Sequence, residues 1–214
     1  MKLSMLCWLC LSLSALAAPE DLPFAALDAP PVKSWKAMRD EGIVKQDLDY
    51  SCGAASIATL LNQHYGQDVT EEAVLALLQA DANKAGMASF ADMQRILPSL
   101  GFRAEGYALS FAQLTQLQVP VIVYLRYRKN DHFSVLRGID GDTVLLADPS
   151  LGHVSMSRTQ FLDAWHTRDA ALQGKILAIV PEDTAITHNG SFFTRSPERQ
   201  TRQSMVFARF PERY

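Results

Sequence analysis

One cysteine beyond the first ten residues stands where a reactive thiol would be expected. Cys52 opens an apolar stretch with helical spacing that runs to about Tyr65 and is closed by Gly66. The positive end of a helix macrodipole favours thiolate over thiol, so a cysteine at this position is a candidate nucleophile. Gln46 lies just upstream, and its side-chain amide could fold back and donate to a developing oxyanion.

Two further residues could complete this chemistry. His132 begins an alternating stretch over residues 132–139, and Asp148 ends the next β-branched stretch, before Pro149. If the two stretches pair through a turn at 140–142, the start of the first strand lies beside the end of the second. An acceptor on the second ring nitrogen is the usual way to orient a histidine that acts as general base.

Each of these residues also has a plainer interpretation. Cys52 could be a buried structural cysteine, since free cysteine is among the most buried residue types. His132 could be a surface histidine at a strand edge, and Asp148 a turn residue before proline. The three together favour the functional interpretation, because the hairpin was inferred from the hydrophobic pattern and not from the chemistry.

The N-terminus bears on the meaning of Cys52. A positive start at Lys2, an uncharged run over 5–18 and an A-x-A site predict a secretory signal peptide over 1–17, and hence a periplasmic protein. Cys7 and Cys10 would leave with that peptide. A lone cysteine in an oxidising compartment indicates either intermolecular pairing or a reactive thiol.

Composition excludes several other classes of function. With 20 basic and 23 acidic residues the chain has a net charge of −3, and no basic face suggests a nucleic-acid partner. The apolar run near the N-terminus is too short to span a bilayer, so we expect no membrane span in the mature chain. We expect no metal or cofactor either, because zinc spacing is absent among the remaining histidines: His64, His153, His166 and His188. Of these, His64 is expected to be exposed near the end of its helix.

The elements that must position these residues change character halfway along the chain. Helical spacing, with N-cap signals at Thr70 and Ser89, predicts three helices in the first half. The second half predicts an antiparallel meander of strands near 102–109, 119–125, 132–139, 143–148, 154–156 and 175–180, with short helical segments at 110–117 and 161–165. This order predicts an α+β fold with N-terminal helices packed on an antiparallel sheet.

The domain organisation follows from composition. Residues 18–41 are rich in proline and alanine and are interpreted as an N-terminal arm, with one helical turn around 34–39. Residues 42–181 form the predicted domain. Residues 182–214 form a C-terminal tail, which we expect from 187 onward to be a mobile or partner-docking appendage. The alternative is a final strand at 205–210 that packs on the sheet.

The order of the candidate residues resembles the peptidase C39 family, in the motifs Gln46, Cys52-Gly53-Ala54-Ala55, His132-Phe133-Ser134-Val135 and Asp148-Pro149. The resemblance spans about 42 to 180. It implies a papain-like cysteine peptidase fold, with Cys52 as nucleophile and His132 as base. It further implies that Asp148 orients His132 and that Gln46 is an oxyanion donor.

The chain also departs from the exporter-associated members of that family, which cut after a double glycine in a leader. We expect a free-standing chain with its own signal peptide, and Ser51 stands where an acidic residue is common. This layout is similar to that of the C39-like proteins of functional-amyloid (Fap) secretion systems. The expected partner is therefore a polypeptide substrate, an exported or amyloid-system protein.

Two other classes of function stay open at this point. The fold could bind a leader or glycine-rich segment without cutting it, although a pure binder has no need of all four residues. The same triad could instead serve an amidase or acyltransferase, because the shape of the pocket decides which acceptor is used.

Overall fold

The computed structural model of the chain describes residues 33–80, 87–127, 130–165 and 174–198. The predicted signal peptide over 1–17 and most of the predicted arm lie outside the described residues. The alternative final strand at 205–210 lies outside them as well. In the part of the chain that is described, no helix is long and apolar enough to cross a membrane.

Helices occupy most of the first half and strands most of the second. The helices are α1 (Trp35–Arg39), α2 (Cys52–Tyr65), α3 (Glu71–Gln79), α4 (Phe90–Ile96), α5 (Phe111–Leu114) and α6 (Arg158–Trp165), and a 3-10 turn spans Leu97–Leu100. The strands are β1 (Phe102–Ala108), β2 (Val121–Tyr127), β3 (Asn130–Ile139), β4 (Thr143–Asp148), β5 (Gly152–Ser157) and β6 (Lys175–Pro181).

Local capping explains why the helices begin where they do. The Thr70 side chain accepts the Ala73 N–H at the start of α3, as its N-cap signal predicts. At the start of α4, Ser89 and Asp92 form a reciprocal capping box. Gly66 adopts the left-handed conformation, with φ of 65°, at the end of α2. The predicted helices of the first half are confirmed.

Within the described residues the sheet has six strands in the order β1-β6-β2-β3-β4-β5. Pairings between these strands are all antiparallel, and the meander from β2 to β5 is confirmed. The prediction of a simple meander is wrong for β6, which lies between β1 and β2. Since β6 runs antiparallel to both of these strands, β1 and β2 run parallel, with α5 in the connection between them.

Apolar side chains from the two faces of the sheet form separate clusters. On β2, Ile122 belongs to the cluster that includes α2, α3 and α4. Its neighbours Val121 and Val123 belong to the cluster that includes α5 and α6. Successive strand residues point to opposite faces, so the central strands are covered on both sides. Cys52 lies on the first of these faces, within the helical layer.

The segments at the two ends of the described chain have some order of their own. Helix α1 is the helical turn predicted within the arm, and Ser34 is its N-cap. At the other end, Phe192 and Phe193 are buried and join the two apolar clusters. The expectation that this segment lies outside the core is therefore wrong for Phe192 and Phe193. Residues 199–214 of the tail lie outside the described residues.

Candidate active site

Cys52 is the first residue of α2 and is almost fully buried, with 1% of its surface exposed. Its Sγ lies 3.7 Å from the Sδ of Met87, so a methionine side chain lies directly against the thiol. No side chain caps the start of the helix, because the Ser51 hydroxyl bonds to Leu48 instead. The free N–H groups of the first turn, and the positive end of the helix, therefore lie beside the sulfur.

His132 and Asp148 are brought together as the hairpin predicts. His132 Nε2 donates to Asp148 Oδ2 at 2.9 Å, and Asp148 is fully buried while His132 is 9% exposed. Because Nε2 is occupied by Asp148, Nδ1 is the ring nitrogen left to face another group. The Cys52 side chain is close enough to raise the pKa of the same ring, so one imidazole interacts with both the buried carboxylate and the thiol. A nucleophile, a base and an orienting acceptor require this arrangement.

The register of the β3–β4 hairpin contains a feature that the sequence did not reveal. Gly138 pairs with Leu145, but two residues earlier Leu136 pairs with Leu146. Arg137 is therefore an extra residue on β3, which makes it a β-bulge. Bulges are common beside active sites, where they redirect side chains.

This bulge decides which face of the sheet His132 occupies. Beyond the bulge Val135 pairs with Ala147, and continuing this register places Ser134 opposite Asp148. His132 is two residues further along β3, so its side chain leaves the sheet on the same face as Asp148. In an unbroken register Val135 would pair with Asp148, and His132 would point to the opposite face.

The electrostatics of the pair favour a charged imidazole. Burial acts to lower the pKa of His132, but the hydrogen bonds with Asp148 and Cys52 and the charges of both groups raise it to about 9. Burial acts to raise the pKa of Asp148, but its bond to His132, the charge of that ring and two backbone N–H groups hold it below its usual value. The site therefore stabilises an imidazolium against a buried carboxylate.

Gln46 is held against the turn that follows Asp148. Its Oε1 accepts the Ser150 hydroxyl at 2.6 Å, its backbone N–H donates to the Pro149 carbonyl, and its Nε2 donates to the Leu48 carbonyl at 2.9 Å. An amide nitrogen carries two hydrogens, so one remains for another acceptor. Gln46 lines the same cleft as His132.

The two carboxylate oxygens of Asp148 have different partners. Oδ2 accepts from His132, whereas Oδ1 accepts the backbone N–H groups of Ser150 and Leu151, both at 2.9 Å. Through Oδ1, Asp148 shapes the turn that holds Gln46. One buried side chain thus orients the imidazole and, through Ser150, the amide.

Two more residues contribute to the site that sequence reasoning did not identify. Glu71 is 4% exposed, and its carboxylate accepts the backbone N–H of Asp47, next to Gln46. In the sequence it resembles an ordinary acid in the first turn of a helix. The ring of Tyr127 lies 5.5 Å from that of His132, and burial, then the charge of Asp148, raise the pKa of its phenol. It shields the His132–Asp148 pair from solvent.

Gln46, Tyr127 and His132 line one cleft with a volume of about 940 Å³. Its walls combine groups of the site with polar and aromatic side chains, namely Gln46, Asp49, Tyr50, Met87, Tyr127, Asn130, Asp131, His132, Ser150 and Leu151. The cleft is large enough for an extended polypeptide segment and reaches Met87, which lies against the thiol of Cys52.

Other candidate residues lie apart from this site. His64 is only 2% exposed, so the expectation of an exposed side chain is wrong, and its Nδ1 donates to the Asn189 carbonyl oxygen. Among the described residues, one group could supply cation ligands, with oxygens of Asp47, Glu71 and Glu72 within 4.8 Å of one another. The Glu71 carboxylate already bonds a backbone N–H, and nothing else at that place indicates an ion.

Comparison with known proteins gives a consistent result for the central part of the chain. The sequence profile of the peptidase C39 family matches residues 40–173. Proteins of Pseudomonas aeruginosa and Pseudomonas fluorescens, each named probable functional amyloid protease FapD, are 38% identical over 149 residues. The match covers 68% of this chain and 66% of each relative, so the chain spans slightly less than two thirds of their length.

A solved structure shares the fold. It is a double glycine motif protease from an AMS/PCAT transporter in complex with the leader peptide, 25% identical, with a TM-score of 0.52. The match covers 65% of this chain and 90% of that one. Together with the observed order of helices and strands, this likeness confirms the predicted papain-like α+β fold.

Proposed function

The chain belongs to the peptidase C39 family of cysteine peptidases, and we propose that it is an exported peptidase that cleaves a peptide bond in a polypeptide partner. The observation that supports this most strongly is the bond of His132 to the buried Asp148, together with the influence of Cys52 on the pKa of the same imidazole. A structural cysteine has no need of an imidazole on a buried carboxylate.

The first half of the proposed reaction forms a thioester. His132 holds the thiol proton as an ion pair with Cys52, and the thiolate attacks the carbonyl carbon of the scissile bond. The backbone N–H of Cys52 and the second hydrogen of the Gln46 amide stabilise the tetrahedral oxyanion. His132 then gives its proton to the leaving amine as the C–N bond breaks.

The second half releases the product. A water molecule gives a proton to His132 and attacks the thioester carbon, and a second tetrahedral oxyanion forms at the same donors. Collapse of that intermediate frees a carboxylate product, and the proton on His132 restores the ion pair. Asp148 keeps Nδ1 turned toward the sulfur throughout, because it holds Nε2. Every step uses groups of this chain and water.

The substrate and location are proposed on coarser grounds. A cleft of about 940 Å³, lined by His132 and by the Met87 side chain that contacts the sulfur, suits an extended polypeptide. Two relatives are named functional amyloid proteases, which supports a secreted or fibre-forming substrate for this chain. We infer export to the periplasm through the N-terminal signal peptide predicted from the sequence.

The test compares exported polypeptides by mass spectrometry in cells with the wild-type chain and with Cys52→Ala. We expect at least one polypeptide to appear at its full length only in the Cys52→Ala cells, with a new C-terminus in the wild type. Cys52→Ser is a matched control, because it keeps the shape of the site and replaces the thiol with a weaker nucleophile.

The same experiment separates the alternatives. Identical processing in all strains, with partner capture retained, would contradict the peptidase proposal and favour a binding module. If the polypeptides are the same in wild-type and Cys52→Ala cells but a non-protein amide compound differs between them, an amidase or acyltransferase is favoured instead.

A further inference from the structure

The C-terminal segment 189–194 lies beyond residues 40–173, which match the family profile. It contacts both elements that carry the site: helix α2, which begins at Cys52, and strand β3, which carries His132. We refer to residues 189–194 as the brace.

At its first end the brace closes the C-terminal end of α2. The Asn189 backbone N–H donates to the His64 carbonyl at 2.6 Å, and the buried His64 ring donates back to the Asn189 carbonyl at 3.2 Å. The Asn189 side chain donates to the Gln63 carbonyl at 3.3 Å. Two of the carbonyls that a helix end leaves without partners are thus bound by the brace.

At its other end the brace binds the β-bulge. The Thr194 N–H donates to the Arg137 carbonyl at 3.0 Å, and the Ile139 N–H donates to the Thr194 carbonyl at 3.1 Å. This is a parallel bridge to Gly138. The last pair between β2 and β3 is Val121 with Leu136, so the brace continues the sheet where β2 has not yet begun.

Side chains anchor the brace between these two ends. Phe192 packs in the apolar cluster that contains α2, and Phe193 packs in the cluster on the other face of the sheet. The Arg137 guanidinium lies 5.6 Å from the centre of the Phe192 ring. Gly138 permits the close approach, since a Cβ there would lie 2.8 Å from Thr194 Cγ2.

We propose that the brace is a positioning element of the active site, which fixes the Cys52 helix and the His132 strand relative to each other. The bulge at Arg137 sets the face on which His132 leaves the sheet, and the brace satisfies the backbone groups on both sides of that bulge. The inference rests on the proposed function, because it concerns the geometry of the proposed nucleophile and base.

The experiment measures the alkylation rate of Cys52 by iodoacetamide against pH in the full chain, which requires no substrate. Thr194→Pro removes the N–H that binds the bulge, and Thr194→Val is its matched control because it keeps that N–H and a methyl group. Leu114→Ala, in α5, controls for lost stability at a residue outside the brace and outside its backbone hydrogen bonds, although it belongs to the same apolar cluster as Phe193.

We expect wild type, Thr194→Val and Leu114→Ala to react at pH 6 nearly as fast as at pH 8. Thr194→Pro should lose about 10-fold of its rate at pH 6, as expected when the thiolate loses its imidazolium partner. Overlapping profiles for Thr194→Pro and Thr194→Val would overturn the inference, as would an equal loss in Leu114→Ala.

If Thr194→Pro does not fold, Gly138→Ala tests the same contact. Its control is the double variant Gly138→Ala/Thr194→Ser, because serine lacks the methyl group that the new Cβ would meet, while the contact with Leu145 is the same in both. A low-pH loss that the double variant restores supports the inference, and equal rates in both overturn it.

The outcomes for the brace and for the proposed function are distinguishable. A wild-type rate that is high at pH 6, with no effect of the brace variants, overturns the brace alone. If wild type alkylates fast at pH 6 and the brace variants slow that reaction, but no polypeptide is processed, the brace inference is supported and the peptidase proposal is contradicted. A wild-type rate that rises only as for an ordinary thiol overturns both.

Discussion

The two ends of helix α2 differ in how their backbone groups are satisfied. At the N-terminal end, no side chain caps the first turn, and Ser51 bonds to Leu48 rather than to the helix. At the C-terminal end, Gly66 closes the last turn, and Asn189 binds the neighbouring carbonyls. We call these the open end and the closed end.

The difference teaches how an unsatisfied helix end can persist in a folded protein. Helix N–H groups without a side-chain cap must find water or a ligand as partner, and a cap would otherwise add to stability. They are useful where negative charge develops during a reaction. In the proposed mechanism, the closed end fixes the helix in place and the open end keeps donors for an oxyanion.

The largest effect is expected for Asp148→Asn, which alters the carboxylate that accepts the hydrogen bond of His132. Asparagine has one carbonyl oxygen, whereas Asp148 uses two oxygens for His132 and for two backbone N–H groups. If that oxygen accepts the backbone N–H groups, the side-chain NH₂ of asparagine faces Nε2 of His132. Nε2 must then accept a hydrogen bond, so the neutral ring carries its proton on Nδ1 and cannot accept the thiol proton there. We expect turnover of the processed polypeptide to fall about 10³–10⁴-fold with the fold retained.

Circular dichroism and the processing assay would measure the two properties of this variant separately. Unchanged turnover in a folded Asp148→Asn protein would contradict the orienting role assigned to Asp148.

The second prediction concerns the proposed oxyanion donor Gln46. In the proposed mechanism its amide acts only on charge in the transition state, so Gln46→Ala should lower turnover about 10²–10³-fold while substrate binding stays nearly intact. Ser150→Ala is the matched control, since it removes the hydroxyl that holds Gln46 Oε1 and leaves the amide donor in place. Kinetics and a pull-down would measure turnover and binding, and equal losses in the two variants would contradict the oxyanion role.

The confirmed parts of the fold were those that short stretches of sequence determine. The N-cap residues Thr70 and Ser89 mark the starts of α3 and α4, and their hydroxyls form the expected bonds. The neighbourhood of His132 and Asp148 followed from pairing adjacent strands through a short turn. These features depend on residues that are close in the chain.

The features that sequence reasoning missed depend on distant parts of the chain. The β-bulge at Arg137 leaves no pattern in the nearby sequence. The partner of the Arg137 carbonyl is the N–H of Thr194, which lies far along the chain in the tail. Burial of Phe192 and His64 likewise follows from docking of the tail on α2, which no local pattern predicts. The position of β6 between β1 and β2 is also determined by pairing between strands that are far apart in the chain.

The third prediction is a pH dependence of stability that originates at His132. The pKa of His132 rises from about 6.5 to about 9 on folding, so its protonated form contributes fully below about pH 6.5. This contribution, of at most about 3 kcal/mol, is lost as the pH rises through 9. The lowered pKa of Asp148 has the opposite sign, and its contribution is lost only in acid.

Urea unfolding between pH 6 and 10 would measure this loss. Wild type should lose stability over that interval, and His132→Gln should lose much less, because the titrating group is absent. Parallel curves for the two proteins would show that another group is responsible.

The smallest effect is expected at the closed end. Gly66→Ala places a side chain at a φ of 65°, where no other atom lies within 4 Å of the new Cβ, so the cost is backbone strain of about 1 kcal/mol. Thermal unfolding should show that loss, and alkylation of Cys52 at pH 6 should not change. A slowed alkylation would mean that the last turn itself, and not only the brace, sets the position of Cys52.

The most direct test of the account is the reactivity of Cys52 with and without its imidazole partner. Iodoacetamide labelling of wild type and His132→Ala should be followed from pH 5.5 to 9.5. We predict that wild type reacts at pH 6 nearly as fast as at pH 8, while His132→Ala reacts at least about 10-fold more slowly at pH 6 than at pH 8.5. Superimposable profiles that both rise only in alkali would contradict the account and leave Cys52 as a structural cysteine.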